Sequence, residues 1–156
     1  MNASIPRFLC AVAMIAVILP TPADASAPGG RYVVTNGGTS SGTVYDTKTK
    51  LTWQQTISSN YYTWADAKTY CAGVGSNLGG TGWRLPTMKE LQSLADYAQT
   101  TPPMIDLNAF PGTPSDRFWS ASPWAGSSSY AWDVDFGDGT TYSIDVSLTY
   151  YARCVR

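Results

Sequence analysis

Histidine is absent from this 156-residue chain. That removes the commonest general base near neutral pH and the commonest ligand for zinc or copper. Triad hydrolases and most zinc enzymes are set aside on this ground. Charge is also sparse. Only 13% of residues are charged and the formal net charge is −1, with no basic stripe. The electrostatic footprint of a nucleic-acid binder is therefore missing. Cysteine occurs three times, as Cys10, Cys71 and Cys154, and never as a CxxC pair that would lower a thiol pKa.

What is present begins with an export pattern. Arg7 supplies a positive start, and Phe8 to Leu19 is almost uniformly apolar but short for a membrane span. Pro20 and Pro22 break the run, and Ala23-Asp24-Ala25 offers a cleavage site, with Ala25-Ser26-Ala27 as a second. Residues 1–25 are thus read as a signal peptide, an uncleaved anchor being the alternative. Cys10 lies inside the apolar run, not at its end after a small residue, so it is not read as a lipid-attachment site. The mature part is expected to be exported, periplasmic or released, with no membrane span.

From residue 26 onward the chain is long enough for one domain with a real core, but not for two. Cys71 and Cys154 remain in it. An even count in an exported chain favours a disulfide, and two free thiols are the alternative. A bridge there would close nearly the whole domain.

Residues 26–42 are rich in Ser, Gly, Ala and Thr and read as a flexible lead, with Arg31 to Val34 as a candidate first strand. Residues 43–45 and 51–54 read as a hairpin around a turn at 46–50. Thr63 with Asp66 resembles a capping box, and Trp64, Ala67, Cys71 and Val74 then share one helical face. Gly73, Gly75, Gly79, Gly80 and Gly82 end this helix in a loop. Trp83-Arg84-Leu85 reads as a short strand stopped by Pro86. Thr87 and Glu90 form a second capping box, opening a helix whose apolar face is Leu91, Leu94, Ala95 and Ala98. Arg84 and Glu90 are placed to pair across that junction. Residues 99–117, with Pro102, Pro103, Pro111 and Pro114, read as a long surface loop. Strands are expected at 118–121, 130–136, 141–146 and 150–155, with a Gly137-Asp138-Gly139 hairpin turn. The sum is an α+β domain over residues 43–156.

The ordered segments resemble a known family. They are Asp46…Leu51-x-Trp53, Trp64-Ala65-Asp66-Ala67…Cys71, Gly82-Trp83-Arg84-Leu85-Pro86-Thr87-x-x-Glu90-Leu91 and Phe118-Trp119-Ser120. Tyr130-Ala131-Trp132-x-Val134-x-Phe136-x-x-Gly139 and the ending Arg153-Cys154-Val155-Arg156 complete them. Together they are similar to the Lcl C-terminal domain family of secreted bacterial proteins, over nearly all of residues 43–156. Family members usually carry Gly and Met at the positions of Lys50 and Thr52. The Trp83–Glu90 block is also similar to one in formylglycine-generating-enzyme-type domains. The resemblance implies a C-type-lectin-like fold, with two helices packed on short antiparallel sheets. It also implies a disulfide from the first helix to the last strand, where Cys71 and Cys154 stand. Formylglycine generation needs a cysteine pair beyond a structural bridge, and the chain has none to spare.

Asp133, Asp135 and Asp138 are the sharpest chemical cluster. The two strand aspartates share a face and the third follows at the turn, so calcium, which takes several oxygen ligands, is the candidate metal. The plainer reading is a solvated strand face and a turn-forming aspartate. The sugar-binding triplets of calcium-dependent lectins are absent, Trp132-Asp133 matching one only in part. Trp124 and Tyr130, with Tyr61 and Tyr62, lie in or beside Ser- and Gly-rich loops. They are candidate platforms for stacking on sugar rings or binding protein, unless they tuck under their own loops. Asp46, Asp66 and Asp106 read as turn or cap residues. The expected function is non-enzymatic recognition of a glycan or another envelope component, an inference that rests partly on the family's occurrence at the end of a collagen-like adhesin. The alternatives are a protein-interaction domain with an exposed apolar patch, and a hydrolase with two facing carboxylates.

Overall fold

The computed structural model describes residues 29–38 and 41–156. The signal-peptide segment and Cys10 lie outside the described residues. The first hairpin forms where β-rich residues flank Asp46. Strands β1 (Tyr32–Thr35), β2 (Thr43–Asp46) and β3 (Thr52–Gln54) make an antiparallel sheet in that order. Part of the expected flexible lead is therefore paired strand. Asp46 builds the β2–β3 turn: its carboxylate accepts from the Lys48 amide at 2.9 Å and its carbonyl from the Lys50 amide at 2.8 Å. Arg31 ties β1 to the same carboxylate at 2.9 Å and holds it below the usual aspartate range against the opposing effect of burial. Lys50 has φ +64°, the left-handed region that glycine occupies without strain. This is the position where the resembling family carries Gly.

Helix α1 (Trp64–Gly73) starts on Thr63, whose hydroxyl accepts from the Asp66 amide. Ala67, Cys71 and Val74 turn inward, as their spacing requires. The glycine-rich stretch then holds a further short helix, α2 (Gly75–Leu78). Helix α3 (Met88–Gln92) begins with the reciprocal Thr87–Glu90 capping box, and Arg84 forks onto Glu90 at 2.7 and 2.8 Å. It is shorter than its apolar pattern predicts. Ser93 caps it by donating from Oγ to the Glu90 carbonyl at 2.6 Å, and Asp96 then donates its amide to Met104. Arg31, from a distant segment, donates to the Ser93 carbonyl at 2.8 Å and so takes a backbone group that a longer helix would use.

Strands β4 (Arg117–Pro123), β5 (Tyr130–Asp135) and β6 (Thr140–Asp145) form the second antiparallel sheet. Trp119 and Tyr142 flank Asp133 in its register. Consecutive residues of β4 point to opposite faces. Phe118 enters a core with Trp53, Leu91, Phe110, Val134 and Phe136, while Trp119 enters another with Ala67, Cys71, Trp83, Ala131 and Cys154. Both faces of β4 and β5 are covered along much of their length, so the Ala131–Asp133 face is not the solvated one that its composition implied.

The 150–156 segment is a chain of single bridges, not the continuous strand expected. Tyr150 pairs with Tyr62, Tyr151 with Phe118, and Val155 with both Trp53 and Arg84. Trp83–Leu85 likewise contributes one bridging residue. The chain end thus joins the two sheets, and Cys71 and Cys154 bond across the second core with Cα atoms 5.2 Å apart.

Candidate functional site

Trp124 follows directly on β4, past a register shift between Trp119 and Pro123. Three backbone bonds close the 124–130 loop: the Trp124 amide to the Tyr130 carbonyl at 3.0 Å, Ser127 to Trp124 at 3.4 Å, and Tyr130 to Ser127 at 3.2 Å. The Trp124 ring lies flat over Gly126, where an added Cβ would stand 2.5 Å from it. Tyr130 meets the indole edge-to-face at 5.7 Å. Trp124 is 38% exposed and Tyr130 37%. The pair is neither buried under its loop nor free to swing.

Tyr61 and Tyr62 separate. Tyr61 is half exposed, packs on Tyr151 at 4.4 Å and donates to Asp116 at 3.1 Å. Tyr62 stacks on Tyr70 at 4.7 Å and packs against the second core.

The three aspartates do not converge on a common point. Asp133 is fully buried and its Oδ2 accepts from Arg117 Nη1 at 3.0 Å. Asp135 lies 3.6 Å from Arg117 Nε and accepts the Gly137 amide at 2.7 Å. Asp138 turns away, accepting from the Thr140 amide and hydroxyl at 2.9 and 2.6 Å and from the Tyr142 hydroxyl at 3.1 Å. A guanidinium sits where the calcium reading needs a cation, and among the described residues no three acidic or cysteine side chains could hold a metal. Burial pushes the Asp133 carboxyl up to about 6 despite Arg117. Asp138 is held low by its hydrogen bonds to Thr140.

A family model described as the Lcl C-terminal domain matches residues 42–156. The chain belongs to this family. No curated protein matches it.

Two residues of this Lcl C-terminal domain escape a sequence reading. Gly126 reads as one more loop glycine, and only the ring above it shows its role. Arg153 lies in the family's terminal Arg-Cys-Val-Arg block and is wholly buried. It donates to the carbonyls of Gln54 and Gln55 at 2.8 and 2.6 Å and to Thr113 Oγ1 at 2.6 Å. The available signal was alternation: Tyr151, Arg153 and Val155 share a parity, and Val155 belongs to the core. Asp46 and Asp106 serve turns as expected, Asp106 accepting from the Asn108 amide at 2.8 Å, and Asp66 serves the α1 start.

Proposed function

We propose that this Lcl C-terminal domain is an exported, non-enzymatic recognition module of C-type-lectin-like fold that stacks a sugar ring of an envelope glycan on Trp124 and Tyr130. The observation that carries the reading is the exposed, pre-shaped aromatic pair. Its rings are held by Gly126 and by three backbone bonds, so little conformational entropy is lost when a ligand lands on it. The small, hydroxyl-rich loop around it supplies adaptable hydrogen bonding. The disulfide fits an oxidising compartment. Among the described residues no helix is long and apolar enough to cross a membrane. The carboxylate-hydrolase alternative gains nothing from Asp133, which is covered and paired.

A glycan-array screen of the protein against Trp124→Ala and Gly126→Ala tests the reading. Gly126→Ala drives a methyl group into the indole and displaces it without touching either core. Both variants are expected to keep their melting temperature within a few degrees and to lose roughly tenfold or more in affinity. Binding that survives both changes would remove the platform from the site.

A protein-interaction reading has one specific observation in its favour. Val33 and Tyr45 are cross-strand partners on β1 and β2, and are 51% and 38% exposed. A partner there would lie on the outer face of the first sheet, and Tyr45→Glu would weaken its binding while leaving the aromatic pair intact.

A further inference from the structure

Arg153 is a buried cation. No carboxylate pairs with it among the described residues. Its guanidinium rests 4.7 Å from the Phe110 ring, and Nε has no hydrogen-bond partner. Burial pulls its pKa down to about 9, so it stays charged at neutral pH. An uncompensated charge in a low-dielectric interior projects a field well beyond its own contacts.

The carbonyls that Arg153 holds belong to the chain lining a cavity of about 160 Å³. Ile57, Val74 and Leu78 are its apolar walls, while Gln54, Thr56, Ser58, Tyr70 and Asn77 bring polar groups; among the described residues no carboxylate lines it. In a trans peptide the N–H lies opposite the C=O. With the Gln55 carbonyl turned inward to Arg153, the Thr56 amide faces outward. Thr56 is exposed, and among the described residues nothing accepts from its amide. The Tyr70 oxygen already accepts from Gln54 Nε2 at 2.8 Å and faces the Ser58 amide. Burial raises the Tyr70 pKa, so the hydroxyl keeps its proton, for which no acceptor stands among the described residues. Asn77 presents an exposed amide at the rim. The Thr56 amide and the Tyr70 hydroxyl are thus donors with no acceptor among the described residues, and the buried charge behind the Gln54 and Gln55 carbonyls is positive.

We propose that this cavity binds a carboxylate group. The Thr56 amide, the Tyr70 hydroxyl and the Asn77 amide donate to it, and Arg153 supplies the countercharge through the peptide between Gln55 and Thr56. The volume suits a carboxylate with a few attached carbons, such as the acidic end of a uronic acid residue. The site does not depend on the aromatic platform: its residues and its ligand chemistry are different.

The test is an amide-resolved NMR titration of the full chain with acetate, glucuronate and, as the neutral control, glucose, at matched ionic strength. Saturable shifts at Thr56 and Ser58 are expected with glucuronate, at a dissociation constant of about 1 mM or below, and none with glucose. Saturation with acetate too would show that the carboxylate alone suffices; saturation with glucuronate alone would show that the sugar carbons add to it. Asn77→Asp places a like charge at an exposed rim position where folding is not at stake. It is expected to weaken glucuronate about tenfold or more, and Tyr70→Phe to weaken it less. An equal response to glucose, no saturable shift with either carboxylate, or an unchanged affinity in Asn77→Asp would overturn the proposal. Loss of glycan binding in Trp124→Ala would leave it untouched.

Discussion

Asp133 Oδ2 has Arg117, but Oδ1 is buried without a partner. Burial strips water from the carboxylate and favours the protonated acid, and the Asp133 pKa rises to about 6 despite Arg117. The folded state then holds a proton that the unfolded chain, titrating near 3.8, has already released. Stability from this group is therefore fully present below about pH 4 and is lost as the pH rises through about 6. Asp133→Asn keeps an acceptor for Arg117 and removes the titration. The variant is expected to gain about 1–2 kcal/mol at pH 7 and to lose most of the slope of stability between pH 4 and 6. Urea unfolding of both proteins across that range reads the difference; parallel curves would refute it. Lys50 shows the opposite case, a residue in a left-handed turn conformation that its type does not favour, accepted because Asp46 and Arg31 organise the turn around it.

At the scale of elements, threonine caps decide where α1 and α3 begin, Thr63 as a simple N-cap and Thr87 as a full capping box, and a tertiary bond to Ser93 marks where α3 ends. Thr87 satisfies the Glu90 amide while the Glu90 carboxylate satisfies the Thr87 amide at 2.7 Å and takes the Arg84 fork. The Glu90 pKa falls to about 2, chiefly through Arg84. This contribution is present at neutral pH and is lost as the pH falls from about 4.5 toward 2, the reverse of Asp133. Arg84 is nearly half exposed, so solvent screens much of the pair. The cap matters more: Thr87→Ala is expected to cost about 1 kcal/mol in urea unfolding, and Thr87→Ser much less. A loss equal in both variants would mean that the methyl group, not the hydroxyl, matters. At β4 the register shift between Trp119 and Pro123 sets the pairing in which Pro123 stands opposite Ala131 and the Trp124 amide donates to the Tyr130 carbonyl.

For the whole molecule, the chain end is the organiser. Residues 150–156 contact the 62 region, β4, β3 and Arg84 in turn, and Cys154 bonds to α1 across 83 residues. A loop of that length makes the bridge worth about 4–5 kcal/mol in the chain-entropy model. Paired Cys71→Ala and Cys154→Ala changes are expected to lower stability by about 2–5 kcal/mol, and the wild type under reducing conditions should fall by a similar amount. A melting temperature indifferent to reduction would show that the two cores suffice without the link.

Much of this was legible from local pattern. The two threonine caps, the Thr87–Glu90 box, the inward face of α1, the Arg84–Glu90 pair, the three β4–β6 segments and the cysteine pairing follow from spacing and parity, because each depends on residues near in sequence or on a count. The site was legible in part: Trp124 and Tyr130 stand out as aromatics among small polar residues, yet their mutual contact and the role of Gly126 depend on how the loop closes. The tertiary structure alone decided that both faces of β5 are covered, which buries Asp133 and gives Arg117 the place that a metal would need. It alone made Arg153 a buried cation and ended α3 early. Those outcomes arise from segments far apart in sequence competing for the same backbone groups and the same space, and no local pattern records which one prevails.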